Sequence, residues 1–356
     1  MARSTLASPL LSAVICTNDR AELLRRTLES LCRQTLGQDA FEVVIVDDGS
    51  TDGTREVVRT FESRLPLRCS FQRSAGLASA RNHGVFLARG VITLFLEDAD
   101  VAEPMLLQQH LETHRRFPEG RFAVLGYTRL DASIATDPLM HFVTESGCFP
   151  FSSTPHIEAG ELLDFSYFRG GRSSCKRSFL LEHGVFNAAF RSGCEDIELA
   201  YRLSRHGFEI VYDPRAVSMV VHKFTVDELC RRLYREGQSR FAFSQLHDDP
   251  AVQRWAGIAA AGETWRDVAA AYDPIVRSAR ELDRVVRMRQ DRQLPVDRLD
   301  LSLLHRSYWA AFRASKAKGV VDKAKEMGHD LVGRAPPAQI VPEQDLRGSS
   351  RASSED

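Results

Sequence analysis

The chain has 356 residues, of which 43% are hydrophobic and 27% are charged. This length and composition allow a sizeable buried core, in one large domain with an appendage or in two domains. Lys and Arg number 47 against 48 Asp and Glu, so the formal charge of -1 gives no basic field for nucleic acid or for an anionic membrane. No apolar run is long enough to span a bilayer. Seven dispersed cysteines without a CxxC pair are typical of reduced thiols, which favours a cytoplasmic protein.

Short apolar runs alternate with helical periodicity through the first half of the chain. Four runs predict buried strands, at residues 10–16, 41–46, 67–71 and 91–96. Strands that alternate with amphipathic helices indicate an α/β fold, with a mostly parallel sheet covered by helices on both faces. Ligands bind such sheets at the carboxyl ends of the strands, and polar clusters follow three of the four runs.

Local side chains are expected to cap the helices that follow the first two strands. The polar residues at 17–19 can cap the first helix, and the hydroxyls of Ser50 and Thr51 can cap the second. Helix capping explains most of the turn-rich segment DDGSTDG, but it does not explain the adjacent Asp47 and Asp48. A carboxylate at a strand end can accept a hydrogen bond from a nucleobase N–H or a ribose hydroxyl. The sequence therefore predicts a nucleotide at this edge of the sheet.

The run VITLFLEDADV ends in Glu97, Asp98 and Asp100. Acids this close repel each other unless a cation or a proton neutralises them, although a solvated loop leading into a helix near Pro104 is an alternative. Side chains two residues apart lie on one face of a strand, which favours Asp98 and Asp100 as the pair that holds a cation. No GxxxxGK motif is present, and no GxGxxG follows the first strand, so a phosphate group needs cationic side chains instead.

Four segments together resemble the family 2 glycosyltransferases of GT-A fold, over about residues 10 to 245. They are AVICTNDRAELLRRTLESL, FEVVIVDDGSTDGT, AGLASARNHGVFLARGVITLFLEDADVAEP and CEDIELAYRLSRHGFEIVYDP. The resemblance implies inverting transfer of a sugar, usually from a UDP-sugar, to an acceptor hydroxyl. It also implies a divalent cation on the diphosphate, Mn²⁺ or Mg²⁺.

The resemblance assigns roles by position. It implies nucleotide contacts for Thr17, Asp19, Arg20, Asp47, Asp48, Arg81 and Asn82. It implies metal ligands at Asp98, Asp100 and His222, and a donor-sugar or acceptor pocket at Gly170, Gly171 and Arg172. In the ED motif the second acid, Asp196, is the general base, and Glu195 faces the acceptor or orients the helix.

The chain departs from the family pattern at three places. Cys16 stands where the family usually has Pro, and Arg172 stands where it usually has Asn. Counted back from Pro104, the usual trio of acids becomes Glu97, Asp98 and Ala99, so the register of the metal-binding acids is open between this reading and Asp98 with Asp100.

The predicted organisation is a disordered start (1–8), a GT-A catalytic domain (9–246), a helical region (247–332) and a disordered tail (333–356). The helical region can pack on the catalytic domain, cover the acceptor, form a homodimer contact or touch a membrane surface. We expect a hexose such as glucose as the donor sugar and a soluble natural-product or aminocyclitol aglycone as acceptor. Assembly of a polysaccharide or a lipid-linked glycan, and a noncatalytic nucleotide-sugar-binding relative, are the alternatives.

Overall fold

The computed structural model describes residues 8–145, 157–191 and 193–333. Within these ranges the strands are β1 Leu11–Thr17, β2 Phe41–Asp47, β3 Leu67–Phe71, β4 Ile92–Glu97, β5 Asp100–Ala102, β6 Phe122–Leu130, β7 Leu162–Leu163, β8 Ser173–Lys176 and β9 Glu209–Val220. The α-helices are α1 Ala21–Leu31, α2 Thr54–Phe61, α3 Leu77–Leu87, α4 Leu106–Arg116, α5 Pro138–Glu145, α6 Arg177–His183, α7 Glu195–Ser204, α8 Val226–Leu246, α9 Pro250–Ala256, α10 Ile258–Val268, α11 Tyr272–Asp291 and α12 Arg298–Glu326. The predicted disordered ends lie outside the described residues, apart from positions 8 and 333.

The strands form a single mixed sheet. Their order is β3-β2-β1-β4-β8-β6-β9-β5, with β7 beside β9. The four strands predicted from the apolar runs are neighbours and run parallel, which confirms the α/β fold with a mostly parallel sheet. The second half adds the antiparallel pairs, since β8 opposes both β4 and β6 and β5 opposes β9.

Helices cover both faces of the sheet. Side chains alternate along β1, so Ile15 packs on one face with Leu28 of α1, and Val14 packs on the other face with Val85 of α3. Leu199 of α7 belongs to the same hydrophobic cluster as Val14 and Val85. The first turn of α7 is thereby fixed on the same face as α3, which places the ED motif near the carboxyl ends of the central strands.

The C-terminal helices form a bundle with α8. A third hydrophobic cluster joins α5, α8, α11 and α12, and the residues that α8 and α12 give to it include Leu229 and Tyr308. Where α8 crosses α12, a Cβ atom at Gly237 would overlap the carbonyl oxygen of Lys316, and one at Gly319 would overlap that of Tyr234. The two helices therefore approach at backbone distance. Their roles beyond packing, including the dimer contact, stay predictions.

The expectations about membrane spans and about the cysteines can be compared with the described residues. None of their helices combines the length and the apolar character needed to cross a membrane. Their six cysteines are free thiols, while Cys148 lies outside the described residues.

The close helix crossing predicts a specific loss of stability. We expect Gly319→Ala to lower the free energy of unfolding by about 1–3 kcal/mol, because the added methyl group forces the helices apart. This outweighs the gain in helix propensity, which is about 1 kcal/mol. Urea denaturation measures the difference. Gly120→Ala is the control, since its Cβ would meet only Phe179 at an ordinary 3.5 Å. A Gly319→Ala protein as stable as that control would contradict the crossing geometry.

Candidate active site

Three polar clusters meet at one edge of the sheet. β1 pairs in parallel with β2 on one side and with β4 on the other. Thr17 consequently lies opposite Asp47, and Cys16 lies opposite Glu97. The carboxyl ends of three adjacent strands thus deliver a hydroxyl and two acids to one place, where ligands bind in sheets of this class.

The loops after β1 and β2 hold each other in place. Asp19, in the left-handed region at φ 52°, accepts hydrogen bonds from the backbone N–H groups of Thr51 at 2.6 Å and Asp52 at 3.3 Å. Asp52 in turn accepts from Ala21 at 2.9 Å and Thr54 at 3.0 Å, the first residues of α1 and α2. The predicted local caps are therefore wrong. One carboxylate serves both helices because the two loops pack together, and the nucleotide contact of Asp19 stays a prediction.

Asp48 is enclosed by the loop that follows β3. Its carboxylate accepts from the side chains of Gln72 at 2.7 Å and Ser74 at 3.4 Å, and from the backbone N–H groups of Ala75 at 2.8 Å and Gly76 at 3.0 Å. The residue is 7% exposed. A nucleobase would have to share or displace one of these donors to reach it.

The carboxylate of the neighbouring Asp47 can accept a further hydrogen bond. One carboxylate oxygen accepts from the backbone N–H of Ser50 at 2.7 Å. The other oxygen is buried and has no hydrogen-bond partner among the described residues. A buried acceptor without a donor is costly, so this oxygen is suited to a ligand hydroxyl or N–H.

The acidic segment does not continue as one strand. β4 ends at Glu97, the chain turns at Asp98 and Ala99, and β5 begins at Asp100. Side chains alternate between two faces only along a continuous strand, so the prediction that Asp98 and Asp100 share a face for that reason is wrong. The acids are instead spread around a corner, because β5 leaves β4 to pair with β9.

Asp98 lies inside this corner and forms an ion pair with Arg20. The Arg20 guanidinium donates to its carboxylate at 3.0 Å, and the Asp98 side chain is only 4% exposed against 44% for Arg20. Burial raises the pKa of Asp98 to about 6, and the charge of Arg20 opposes that rise. Arg20 is thus held by an acid of this segment, with part of its side chain still open to solvent.

Asp100 faces a different environment. Its carboxylate accepts from the hydroxyl of Ser218 on β9 at 3.4 Å. Burial raises its pKa well above the usual range, with a contribution from Glu97, while the positive charge of Arg172 opposes the rise. The charge of Arg172, at a position singled out by its departure from the family pattern, therefore acts on one of the three acids.

Arg81 is the buried centre of the site. It reaches from α3 to Glu195 at 2.7 Å and to Glu97 at 3.2 Å. Gly170 and Gly171 cover it closely, because a Cβ at Gly170 would overlap the guanidinium and one at Gly171 would overlap the Glu97 carboxylate. The Arg81 guanidinium therefore links three segments that are distant in sequence, and its partners are acids of the protein itself.

The two acids of the ED motif have different surroundings. Glu195 is buried, with one oxygen on Arg81 and the other without a partner among the described residues. Burial and the adjacent Asp196 raise its pKa. Asp196 is partly exposed, and its two oxygens accept from the backbone N–H groups of Gly170 at 3.1 Å and Ile197 at 2.9 Å. Glu195 is therefore bound to the protein through Arg81, a contact that suits orientation of the helix, and its contact with an acceptor stays a prediction.

Asn82 is occupied by a backbone contact. Its amide donates to the carbonyl of Phe186 and accepts from the same residue's N–H, both at 2.8 Å. This reciprocal pair fixes the segment between α6 and α7 to α3. Both polar groups of Asn82 are engaged by Phe186, and its nucleotide contact stays a prediction.

His222 lies beyond β9, half-buried and edge-on to Phe224 at 5.0 Å between ring centroids. Burial and the nearby charge of Arg20 lower its pKa. Across the described ranges, no three His, Cys, Asp or Glu side chains converge closely enough to hold a metal ion. The expected shell of Asp98, Asp100 and His222 is therefore not assembled among the described residues, and Asp98 pairs with Arg20.

The residues that bind the predicted site residues were harder to identify from the sequence than the site residues themselves. Nothing near Glu195 indicates that Arg81 binds it, because the two residues are 114 positions apart. Ser218 was missed for the same reason. Asp52 stood inside a motif already singled out, and its spacing of two residues before Thr54 is an Asx-type signal that could have identified it.

Comparisons with known proteins find similar sequences and a similar fold. Residues 12–156 match the model of the family described as Glycosyl transferase family 2. Two curated relatives are named Validoxylamine A glucosyltransferase, from Streptomyces hygroscopicus subsp. jinggangensis (strain 5008) and subsp. limoneus. Each is 36% identical over 229 aligned residues, and the match covers 58% of this chain and 54% and 50% of the respective relative. The chain thus spans about half the length of the curated relatives it matches.

A solved structure shares the fold. It is the mannosyltransferase PcManGT from Pyrobaculum calidifontis, in complex with GDP-Man and Mn²⁺, with a TM-score of 0.61, 20% identity and coverage of 90% of this chain and 88% of that one. Its similarity supports the GT-A type architecture found here. Through residues 12–156, which begin in β1, the chain is thus similar to the family 2 glycosyltransferases.

Proposed function

We propose that the chain transfers a hexose, most simply glucose, from a UDP-sugar to a hydroxyl group of a small aminocyclitol or related natural-product aglycone, in the cytoplasm. The observation that carries the proposal is the split of the ED motif into a buried, arginine-bound Glu195 and a partly exposed Asp196. The glucosyltransferase names of the two Streptomyces relatives support the sugar and the class of acceptor. The dispersed free cysteines support the compartment.

Asp196 fits the role of general base. In inverting transfer, the acceptor oxygen bonds to the anomeric carbon from the face opposite the nucleotide, and the bond from that carbon to the diphosphate breaks with its electron pair. The acceptor proton has to go to a base on the acceptor side. Each oxygen of Asp196 accepts only one backbone hydrogen bond, so it has a lone pair left for a hydroxyl.

The buried ion pair would hold this base in position. Arg81 binds Glu195, the residue directly before Asp196, and Gly170 donates to Asp196 while covering Arg81. A group placed by buried contacts keeps its geometry without a reorganisation cost during the reaction. Arg81 is therefore a positioning residue in this proposal, and Glu195 acts through the helix.

The nucleotide would lie along the ends of β1 and β2. Thr17 and the unpartnered oxygen of Asp47 are neighbours there, and Asp19 and Asp48 shape the loops around them. Mn²⁺ or Mg²⁺ remains the cation that the family resemblance implies. The described side chains do not assemble a shell for it.

Donor and acceptor can be tested together. UDP release from UDP-glucose and other UDP-sugars is measured with validoxylamine A, other aminocyclitols and oligosaccharide acceptors, each with EDTA or Mn²⁺. Acceptor-dependent release with an aminocyclitol supports the proposal. Release only with an oligosaccharide favours glycan assembly, and nucleotide binding without release under every condition favours a noncatalytic relative.

The assignment of Asp196 as general base predicts a loss of turnover without a loss of UDP affinity. We expect Asp196→Asn to lower turnover by about 10²- to 10⁴-fold, because the amide cannot take the proton. UDP affinity, measured by calorimetry, should stay within about threefold of the unaltered protein, a change of under 1 kcal/mol. Asp267→Asn, at an exposed position of α10, is the matched control and should leave both quantities unchanged. Full turnover in Asp196→Asn would remove this residue from the mechanism.

The ion pair predicts a large stability effect. We expect Arg81→Met to lower the free energy of unfolding by about 3–5 kcal/mol, because it leaves Glu195 buried without its cation. Arg25→Met is the control, since Arg25 pairs with Glu22 on the surface and such pairs contribute about 0–1 kcal/mol. Adding Glu195→Gln to Arg81→Met should restore part of the loss. Equal effects of the two single substitutions would show that the buried pair has no special role.

A further inference from the structure

The turn before the ED motif has an unusual backbone conformation. Gly193 and Cys194 both have a positive φ, at 93° and 64°, and Cys194 is the residue directly before α7. This left-handed conformation is strained for a residue that has a side chain, so surrounding contacts have to hold it. Glu195 and Asp196 follow the turn directly. Its conformation therefore sets the direction in which both acids leave the backbone.

One residue of α8 supports this turn. The carbonyl oxygen of Glu236 accepts a weak hydrogen bond from the Cys194 thiol, with 3.9 Å between sulfur and oxygen. A Cβ atom at Gly193 would lie 3.6 Å from the Cα atom of Glu236, which is an ordinary van der Waals distance. The backbone of the turn thus packs directly against the backbone of α8 at Glu236.

The side chain of Glu236 joins three of the C-terminal helices. Its carboxylate accepts a hydrogen bond from the Arg240 guanidinium at 2.9 Å and pairs with the Lys316 ammonium of α12 at 3.5 Å. Arg240 also donates to the carbonyl of Trp255 in α9 at 2.7 Å and lies over its ring at 4.1 Å. Burial by itself raises the pKa of Glu236, but Lys316 and Arg240 lower it to about 2. The carboxylate is therefore ionised at neutral pH and connects α8, α9 and α12.

Close packing surrounds this junction. At the next position of α8, a Cβ atom on Gly237 would overlap the carbonyl oxygen of Lys316, so α8 and α12 touch through their backbones there. Ile197 of α7 also shares a hydrophobic cluster with Phe243 of α8 and Val252 of α9. A shift of α12 relative to α8 would consequently be passed on to the start of α7, because packed helices move as units.

The start of α7 is thus held from two sides of the ED motif. Arg81 of α3 binds Glu195 within the motif, and Glu236 of α8 supports the turn that precedes it. Small displacements of a reacting group lower the rate of a reaction steeply, so a general base in this position depends on both attachments.

Resting on the proposed function, we propose that Glu236 is a positioning residue for the general base, and that the C-terminal helices contribute to catalysis by fixing the turn before Asp196. Lys316 is then the residue through which α12 affects the rate of transfer. The helices that follow α8 are in this view part of the catalytic apparatus, and their effect reaches the reaction through Asp196 alone.

The test measures turnover and nucleotide affinity separately. We expect Glu236→Gln and Lys316→Met each to lower kcat by about 5- to 50-fold, because the base is displaced from its productive geometry. UDP affinity, measured by calorimetry, should stay within about threefold of the unaltered protein. Lys323→Met is the matched control on α12, since Lys323 pairs with Glu326 one turn further along the same helix.

A double substitution separates positioning from general disruption. Asp196→Asn removes the base, so adding Lys316→Met to it should lower the residual turnover by no more than about twofold. Lys316→Arg restores the positive charge and should recover most of the turnover. Amide hydrogen exchange gives a readout that does not depend on activity: protection of residues 193–197 should fall in Lys316→Met and stay unchanged in Lys323→Met. Thermal unfolding confirms that each variant is folded.

The inference and the proposed function fail in different ways. Full turnover in both Glu236→Gln and Lys316→Met, beside an active unaltered protein, would overturn the inference and leave the proposed function intact. An equal loss from Lys316→Met with and without Asp196→Asn would also overturn it, as would a parallel loss of UDP affinity. Absence of turnover in the unaltered protein with every UDP-sugar and acceptor would overturn the proposed function, and the inference with it.

Discussion

The buried guanidinium of Arg81 is the contact on which the rest of the site depends. A charge removed from water is stable only when it is paired and hydrogen-bonded, and Arg81 obtains both from Glu195 and Glu97. These acids belong to α7 and to the end of β4, so satisfying one cation fixes two elements relative to α3. The glycines at 170 and 171 follow from the same requirement, because no other residue leaves room for the pair.

Much of the fold was predictable because it is local. The four apolar runs correspond to β1 to β4 within a residue or two, since buried parallel strands consist of continuous apolar stretches. The cap of α1 was not predictable in the same way. Its acceptor, Asp52, lies in the loop after β2, and that contact exists only once β1 and β2 lie side by side. Local chemistry indicates where a helix begins but not always which side chain completes it.

The acidic corner shows the same limit more sharply. Alternation predicts one face for Asp98 and Asp100 only while the strand continues, and here the chain turns to pair with β9, more than a hundred residues later. The sequence identified all three acids and the irregular Arg172. It could not assign arginines to acids, because the partners come from separate segments of the chain. Site membership was therefore easier to predict than the contacts within the site.

The ED motif illustrates how one helical turn gives neighbouring acids different chemistry. Acids are common at helix N-termini because they oppose the positive end of the helix dipole, and that alone would explain Glu195 and Asp196. It would not explain their separation, since the dipole acts on both. Successive residues of a helix point about 100° apart, so a helix anchored through Glu195 must direct Asp196 elsewhere. With Glu195 drawn inward to Arg81 and Asp196 held at the surface by Gly170, the helix has one acid for its own attachment and one for a substrate.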